Sequence, residues 1–412
     1  MSRRSPAPDE RQALLLRSRS LKMARSAHAY VRGNTLKFYE WLDASPSAAL
    51  PQGPAVWICG DCHLGNLGPV ADGEGRVDIQ IRDFDQTVIG NPAHDLVRLG
   101  LSLAMAVRGS DLPGVTTALM IEQMMAGYVQ AFDPEGPDEL PTQRPAAVHI
   151  ALKTATRRTW RHLATERLEG QTVHLPLGRR FWKATPDERA AARALCETAE
   201  MQELVTAIRR RASGEPVRFL DVAYWKKGCS SLGKLRYAAV LDVGGRGRKG
   251  RDLCLIDIKE AALAAAPRQA SMDMPREYAH RVLAGARALS PHLGERMIAT
   301  RMLDRSVFAR ELLPEDLKLE IEHIAPDEAK RTAHYLAMVV GRAHARQLDP
   351  ADRARWQREL SRAQGKSFEA PSWLWNSVLE LVGSHEQGYL EHCRRYALGP
   401  AREIEAVVAQ PN

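Results

Sequence analysis

The sequence has few cysteines for its length and no long uncharged apolar segment. Six cysteines are scattered over 412 residues, which is too sparse for the disulfide framework of a small secreted protein. The N-terminal segment MSRRSPAPDERQ is charged and has no apolar stretch behind it. The apolar run from Leu96 to Val107 is interrupted by Arg98 and is far too short to span a bilayer. We therefore expect reduced thiols, a cytoplasmic location and no membrane span.

The sequence also has only one dense cluster of like charge. Lys and Arg number 58 against 50 Asp and Glu, a net charge of +8, which favours anionic ligands in general. The charges are dispersed except for RGRKGR at 246–251, which we interpret as a solvated hairpin loop rather than a nucleic-acid surface. No internal repeat or low-complexity segment is visible. We expect no nucleic-acid partner and no membrane partner.

Hydrophobic periodicity divides the chain into helical and strand-rich parts. The first 50 residues are predicted to be helical, and the short strands AVWIC and RVDIQIRDFD follow. Helical periodicity then dominates from about Ala93 to Ser213, strands return between Val217 and Leu319, and helix follows again. The pattern predicts an α+β fold. Its three predicted segments are a first helical block at 1–214, a small β-rich part at 215–325 and a second helical block at 326–412.

The segment ICGDCHLGN at 58–66 has three incompatible interpretations. Cys59, Cys62 and His63 form the C-x-x-C-H pattern of covalent haem attachment. The two thiols alone could form a redox pair or half of a zinc site. Asp61 and Asn66 have the spacing of a phosphotransferase catalytic loop.

The haem and zinc interpretations both lack partner residues. Haem needs an axial ligand and export from the cytoplasm, and zinc needs two further ligands at short spacing. The other cysteines, Cys196, Cys229, Cys254 and Cys393, are isolated in the sequence. We expect Cys59 to be a buried strand residue and Cys62 a small residue that fills space in the loop.

The phosphotransferase interpretation assigns a role to each polar residue of the segment. Phosphoryl transfer needs a carboxylate to accept the proton of the substrate hydroxyl, plus oxygen ligands that hold Mg²⁺ between the phosphates. Asp61 would be the catalytic base, and Asn66 with Asp83 of the segment IRDFDQT would be the metal ligands. Alternatively, Asp and Asn simply favour turns next to glycine. The continuation GNPAHDLVRLG, in which Asp95 opens a helix, resembles a segment of sugar and aminoglycoside phosphotransferases.

A second candidate site is the segment KKGCSSLGKLRYAAVL at 226–241. Gly228, Gly233 and Lys234 nearly match a Walker A motif, but Leu235 stands where Ser or Thr should meet Mg²⁺. A P-loop runs into a helix, whereas KLRYAAVLDV is typical of a strand. We therefore interpret Gly228, Ser230, Ser231 and Gly233 as a flexible flap whose backbone amides cover the phosphates of ATP.

One strand further along, the segment LCLIDIKEA carries Lys259 near its end. Lys259 resembles the V-A-I-K lysine that pairs with the α- and β-phosphates, although a lysine at a strand end usually just reaches solvent. The order flap, strand, strand, lysine favours the functional interpretation. Glu277, in the predicted helix that follows, is the predicted carboxylate partner of Lys259, with a solvated helix charge as the alternative.

Together these motifs resemble the bacterial domain of unknown function 2252 family over nearly the whole chain. The matching segments are KMARSAHAYVRGN, GDCHLGNLG, IRDFDQTVIGNPAHDLVRL, GCSSLGKLRY, IDIKEA and GRAHAR. These motifs are in turn similar to those of the protein-kinase-like and aminoglycoside phosphotransferase superfamily, with Cys59 in place of the usual histidine. The resemblance implies that Asp95 and His63 support the catalytic loop.

The resemblance further implies a two-lobed, circularly permuted protein-kinase-like fold. In a kinase the flap and lysine precede the catalytic loop, whereas here they follow it, so the small β-rich lobe would be inserted between two blocks of a helical lobe. ATP would bind in the cleft between the lobes. The implied function is ATP- and Mg²⁺-dependent phosphotransfer to a hydroxyl of a small molecule or protein. The alternatives are AMP transfer on the same fold and a non-catalytic nucleotide-binding module.

Overall fold

The computed structural model describes most of the chain in twelve ranges. These are residues 5–45, 50–108, 114–133, 144–158, 174–208, 211, 214–229, 231–244, 252–269, 272–317, 325–362 and 370–397. The basic cluster at 246–251 and the predicted flap residue Ser230 lie outside the described residues.

The N-terminal part forms three helices, as predicted. Their bounds are Pro8–Met23 (α1), Ala27–Gly33 (α2) and Thr35–Ala44 (α3). The side chain of Ser26 accepts a hydrogen bond from the backbone of Ala29, and the side chain of Asn34 accepts one from Lys37. These two caps satisfy backbone N–H groups that a helix start leaves unpaired, so a separate helix begins at each of them.

Two small antiparallel hairpins follow and carry the first predicted site. The pair of β1 (Val56–Ile58) and β4 (Val88–Gly90) encloses the pair of β2 (Leu67–Ala71) and β3 (Val77–Ile81). The sequence prediction of strands at AVWIC and RVDIQIRDFD is therefore confirmed. Because β1 and β4 are neighbours, the loops that follow β1 and β3 are brought to the same end of the hairpins.

The remaining helices form one large block around a common core. They are Ala93–Val107 (α4), Gly114–Gln130 (α5), Ala146–Arg157 (α6), Pro326–Ala345 (α11), Pro350–Arg362 (α12) and Ser372–Tyr396 (α13). Helix α4 is buried nearly throughout, including Asp95 and Arg98, which are both fully buried. Buried charges need partners, and those of α4 are found in the loop after β1.

Helices α5 and α11 approach each other through glycines. A Cβ atom on Gly127 would overlap the backbone carbonyl of His334, and one on Gly341 would lie 2.9 Å from the backbone oxygen of Tyr128. Both distances are shorter than van der Waals contact allows. The two helices can therefore pack at this separation only because both positions lack a side chain.

A six-stranded antiparallel sheet forms the second body of the molecule. Its order is β5-β6-β7-β8-β10-β9. The strands are Phe181–Lys183 (β5), Val217–Trp225 (β6), Arg236–Val243 (β7), Asp252–Glu260 (β8), Met297–Met302 (β9) and Arg305–Glu311 (β10). Helices Tyr278–Leu289 (α9) and Pro291–Gly294 (α10) connect β8 to β9. A chain with both helices and an antiparallel sheet confirms the predicted α+β class.

The sheet starts earlier in the chain than the sequence indicated. Strand β5 pairs with β6, and helices Pro186–Cys196 (α7) and Ala199–Thr206 (α8) cover one face of the sheet. Their buried residues Leu195 and Val205 pack with Leu241 of β7. The predicted boundary at 214/215 assigns these elements to the helical block, whereas their packing places them with the sheet. Helical periodicity could not reveal which body the helices cover.

Helix α1 contacts both bodies. Near its start, Leu15 packs in the core beneath the sheet and Arg11 forms a buried ion pair with Glu188, with N and O atoms 2.6 Å apart. At its end, the backbone oxygen of Ser20 accepts a hydrogen bond of 2.8 Å from the ring of His392 in α13. The helix therefore bridges the sheet and the last helix of the helical block. Among the described helices, none is both long and apolar enough to cross a membrane.

The close crossing of α5 and α11 predicts a specific cost for adding one methyl group. Gly127→Ala should lower the free energy of unfolding by about 1–3 kcal/mol, because the new Cβ must push the two helices apart. Gly383→Ala is the matched control, since Gly383 lies exposed in α13 with open space where its Cβ would be. That change should raise stability by about 0.5–1 kcal/mol through helix propensity. Urea unfolding measures both, and equal effects would contradict the packing argument.

Candidate active site

A fully buried carboxylate holds the loop that follows β1. Asp95, in the first turn of α4, accepts hydrogen bonds from the backbone N–H groups of Cys59 at 2.7 Å and Gly60 at 2.9 Å. An ionised carboxylate accepts such bonds more strongly than a neutral group does. The loop is thereby fixed by its backbone just before the predicted catalytic residue Asp61.

A chain of side chains lies behind Asp95. Nε2 of His344 in α11 lies 3.2 Å from Asp95 Oδ2, and Nδ1 of His344 lies 2.9 Å from the hydroxyl of Tyr128 in α5. Because a carboxylate only accepts, Nε2 is the protonated nitrogen and Nδ1 accepts from Tyr128. The indole N–H of Trp356 also reaches the Tyr128 oxygen, at 3.4 Å. Four distant segments therefore determine the position of one loop.

Gly60 is required by the tight path of this loop. Its φ angle is +72°, and a Cβ there would overlap the backbone oxygen of Gln86 in the neighbouring loop. Its own carbonyl accepts a hydrogen bond of 2.5 Å from the hydroxyl of Tyr39. A left-handed conformation and a close backbone approach both favour glycine, so the loops after β1 and β3 can lie side by side.

Asp61 is buried and forms an ion pair with Arg98. Nε and one terminal nitrogen of Arg98 each lie 2.9 Å from Asp61 Oδ1, and the same guanidinium donates to the backbone oxygen of Val31 at 2.7 Å. Burial raises the pKa of Asp61, and the nearby Arg98 charge opposes that rise. Sequence analysis did not identify Arg98, because a single arginine within an apolar helix gave no indication of its partner.

The other polar residues of the loop lie beside Asp61. His63 Nε2 is 3.8 Å from Asp61 Oδ2, and burial keeps the pKa of His63 well below its usual value, so the ring is neutral at pH 7. The side-chain amide nitrogen of Asn66 donates to the backbone oxygen of Asp61 at 3.0 Å. This bond uses the donor of the amide and leaves its oxygen as the atom that could ligate a cation.

Asp83 and Lys259 meet across the two bodies of the molecule. Nζ of Lys259 in β8 lies 3.3 Å from Asp83 Oδ1, although 176 residues separate them. The same ammonium lies 2.6 Å from Oδ2 of Asp85, a residue that the sequence analysis overlooked. Its position two residues after Asp83 in the IRDFD segment was the available signal. The structure therefore places one cation between two carboxylates.

The two carboxylates have different proton affinities. Burial raises the pKa of Asp85, and the negative charge of Asp83 adds to that rise. Burial also raises the pKa of Asp83, but the positive charges of Lys259, Arg310 and Arg236 outweigh this effect, so the pKa of Asp83 is lowered. The Asp83 side chain is 35% exposed, whereas that of Asp85 is 8% exposed. Asp83 therefore has the lower proton affinity of the two and is the more accessible carboxylate.

Glu277 is not the partner of Lys259, and that prediction is wrong. Glu277 precedes α9 on the surface and pairs with Arg301 of β9, with N and O atoms 3.1 Å apart. Helix α9 instead contributes Arg281, which donates to the backbone oxygens of Thr87 and, at 3.1 Å, Asp85. The helix thus contacts the backbone of the Asp83 loop, and the lysine takes its counter-charges from that loop.

The predicted flap lies beside the lysine strand. Gly228 and Gly233 have φ angles of +85° and +101°, which only glycine adopts readily. The hydroxyl of Ser231 accepts a hydrogen bond of 3.3 Å from Arg236, whose register partner on β8 is Lys259. Arg236 also forms two hydrogen bonds, of 2.8 and 2.5 Å, with the carboxylate of Asp257. The flap is therefore connected to the start of β7 by one hydrogen bond, and the donor Arg236 is itself held by a buried ion pair with Asp257 of β8.

The residues that could hold a magnesium ion are few. Across the described ranges, no three His, Cys, Asp or Glu side chains lie close enough together to hold a metal ion by themselves. Mg²⁺ commonly uses one or two carboxylates, with waters and substrate phosphates completing its shell. Asp83, Asp85 and the amide oxygen of Asn66 fit that requirement, because Asp85 Oδ1 is buried and no described residue donates a hydrogen bond to it.

The cysteines of the loop are packing residues. Cys59 and Cys62 are 0% and 1% exposed, and the pKa of each thiol is raised. For Cys59 the largest cause is its hydrogen bond with Cys62, followed by burial. A buried neutral thiol is a poor nucleophile and a poor metal ligand.

A cavity of about 340 Å³ lies on the side of the flap that faces away from Lys259. Residues of α1, the sheet and the flap line it, including Arg11, Tyr224, Gly233, Leu235 and Glu260. The side chain of Tyr224 lies on the face of the sheet that α7 and α8 cover. The cavity therefore lies behind the sheet, away from the face that carries Asp257 and Lys259.

Because Asp95 is a buried carboxylate, replacing it by the isosteric Asn should lower stability strongly. Asp95→Asn replaces an acceptor by an amide, so at least one buried backbone N–H loses its partner, and the free energy of unfolding should fall by about 2–4 kcal/mol. Amide hydrogen exchange at Cys59 and Gly60 should accelerate at the same time. Asp187→Asn, in the exposed first turn of α7, is the control and should have a much smaller effect. Unchanged exchange at Cys59 would show that Asp95 does not hold the loop.

Comparison with known proteins identifies the family to which the sequence belongs. The family described as "Uncharacterized protein conserved in bacteria (DUF2252)" matches residues 11–395. No curated protein and no solved structure matches the chain. The family match includes the Asp61 loop, the Asp83 and Asp85 loop, the flap and Lys259. Because it covers nearly the whole sequence, the chain belongs to the bacterial DUF2252 family.

Proposed function

We propose that this protein is an ATP- and Mg²⁺-dependent phosphotransferase that acts on a hydroxyl group of a small molecule or protein. The proposal rests above all on the ion pair between Asp83 and Lys259, which joins a candidate metal ligand to a candidate phosphate ligand at 3.3 Å. Asp61 and Asn66 lie on the neighbouring loop, linked by their own hydrogen bond. Phosphoryl transfer requires this combination of a base, metal ligands and a cation for the phosphates.

The same proposal includes the fold. We propose that the sheet, the flap and the lysine, beside a helical block with the Asp61 loop, form a protein-kinase-like fold whose segments are circularly permuted. Helix α11 supports this, because its residue His344 contacts Asp95 behind the loop although it lies 249 residues later in the chain. The nucleotide would then bind between Lys259 and the flap on one side and the Asp83 loop on the other.

In this mechanism the carboxylate of Asp61 orients the acceptor hydroxyl and takes up its proton. Arg98 occupies Oδ1, so we assign proton uptake to Oδ2. Asp83 and Asn66 would hold magnesium, with Asp85 beside them. The bound metal ion supplies positive charge that neutralises the phosphate oxygens. The water-poor position of Asp61, 7% exposed, favours uptake of a proton over solvation of the charge.

Lys259 changes partners in the proposed cycle. Without nucleotide its ammonium lies between Asp83 and Asp85, at 3.3 and 2.6 Å. If Asp83 and Asp85 held a divalent cation, Lys259 would lose these two partners and would be able to pair with phosphate oxygens. Metal and nucleotide should therefore bind cooperatively, since the binding of either one favours separation of Lys259 from Asp83 and Asp85.

AMP transfer remains the alternative reaction, because the same residues could bind ATP in another pose. Incubation with γ-labelled and α-labelled ATP separates the two reactions. Label carried to the acceptor from the γ-position supports the proposal, and label carried from the α-position replaces it by AMP transfer. Absence of both, with intact nucleotide binding, favours a non-catalytic nucleotide-binding module.

Two aspartate variants should fail in different ways. Asp61→Ala should reduce turnover by about 10²–10⁴-fold while Mg²⁺·ATP still binds, because the base acts only in the chemical step. Asp83→Ala should weaken metal-dependent nucleotide binding itself. Isothermal titration of ATP with and without Mg²⁺ measures the binding, and the labelled-phosphate assay measures turnover. Equal loss of ATP binding in both variants would contradict this division of roles.

The pH profile should report the environment of Asp61. The base must be ionised, so kcat/KM should fall on the acid side as Asp61 takes up a proton, and its raised pKa places this limb above the range of an ordinary aspartate. Removing the charge that opposes the rise, by Arg98→Gln, should move the limb to higher pH. Arg98→Lys retains the charge and should move it less. An acid limb that is identical in all three proteins would exclude Asp61 as the titrating base.

A further inference from the structure

A guanidinium lies directly on the candidate catalytic loop and has no hydrogen-bond partner among the described residues. Arg32, in the last turn of α2, stacks on Gly65 so closely that a Cβ at Gly65 would lie 2.6–2.9 Å from three of its guanidinium atoms. The side chain is half-buried. Among the described residues, no carboxylate or carbonyl accepts a hydrogen bond from it. An arginine with five donors held in place without an acceptor is ready to bind an anion.

The carboxylates of the site already have cationic partners. Asp61 is paired with Arg98, and Asp83 and Asp85 share Lys259. None of these three carboxylates forms an ion pair with Arg32 in the described part of the chain. A guanidinium that pairs with no described carboxylate can take its counter-charge from a bound anion.

Two buried groups near Arg32 are also unsatisfied. Nδ1 of His63 and one terminal nitrogen of Arg98 have no hydrogen-bond partner in the described part of the chain, although His63 is only 4% exposed and Arg98 is fully buried. Both residues flank Asp61, at the 3.8 Å and 2.9 Å distances given above. Buried polar atoms without partners commonly mark a place where a ligand or water binds.

Arg32 lies near His63 of the Asp61 loop rather than near Asp83. After burial, Arg32 is the largest influence that lowers the pKa of His63, whereas the pKa of Asp83 responds to Lys259, Arg310 and Arg236. Gly33, the next residue after Arg32, packs against the flap, where a Cβ would lie 3.0 Å from Cys229 Sγ. Helix α2 therefore ends between the Asp61 loop and the flap.

We propose that Arg32 binds an anionic group of the acceptor, so that the acceptor is an alcohol carrying a phosphate or carboxylate near the hydroxyl that reacts. This inference rests on the proposed phosphotransfer at Asp61, but the anion site itself needs no nucleotide. A planar guanidinium binds both phosphate and carboxylate through two parallel hydrogen bonds. Arg32 thereby positions the acceptor and selects it by charge.

The test compares three alcohols that differ in charge. Glycerol 3-phosphate, glycerate and glycerol are titrated against the full chain without nucleotide, and binding is measured by calorimetry. We expect one or both anions to bind and glycerol not to bind. Arg32→Ala should weaken anion binding by about 10–100-fold, the usual loss for a charged hydrogen-bonded contact. Arg32→Lys should retain part of the affinity.

Two controls assign the site. Arg25→Ala removes an exposed arginine just before α2 and should leave anion binding unchanged. Lys259→Ala should also leave it unchanged, because Lys259 belongs to the nucleotide side. Anion binding that survives Arg32→Ala, or that is lost in Lys259→Ala, would overturn the proposal, as would equal binding of all three alcohols. Arg32→Ala should keep its Mg²⁺·ATP affinity, and loss of that affinity would assign Arg32 to the nucleotide instead.

The outcome is separable from that of the proposed function. If Arg32 binds the anions but no label is transferred from ATP, the acceptor site stands and the phosphotransferase proposal fails. If label is transferred and the anions bind independently of Arg32, the reverse holds. Because Arg32 donates no hydrogen bond to the described chain, its replacement should not unfold the protein, and thermal melting verifies this.

Discussion

The arrangement of the site depends on the fully buried carboxylate of Asp95. An unpaired buried charge costs several kcal/mol, so Asp95 is stable in the core only while the N–H groups of Cys59 and Gly60 and the ring of His344 surround it. The same bonds fix the backbone that leads into Asp61. Stability of the helical block and geometry of the loop therefore depend on the same carboxylate, and a change that disturbs one must disturb the other.

Buried ion pairs join the parts of the molecule in a similar manner. Arg98 connects α4 to the loop of Asp61, and Lys259 connects β8 to the loop of Asp83. Each pair is formed by segments far apart in sequence. Such pairs contribute little net stability compared with apolar packing, but breaking one side leaves a buried charge. The Lys259 pair makes the alignment of the sheet with the Asp83 loop specific, and the Arg98 pair does the same for the Asp61 loop and α4.

The sequence allowed the hairpins, the strands of the flap and Lys259, and most helices to be predicted, because periodicity and turn residues are local properties. The partners of these residues are not local. Glu277 was chosen for its place in the sequence, yet it lies on the surface beside Arg301. Asp85 and Arg281 took the positions near Lys259 and the Asp83 loop. Only the register of distant strands, and the face on which each helix packs, decides which charges meet.

Helix α1 connects the sheet to the helical block as a rigid element of fixed length. Its 16 residues span about 24 Å at 1.5 Å per residue, with Arg11 and Leu15 anchored to the sheet and Ser20 held by α13. A helix resists stretching, since elongation breaks its backbone hydrogen bonds. While both attachments hold, the sheet and the helical block therefore cannot move apart along the direction of α1. The distance between these two attachment points is thus set by the rise of a single helix.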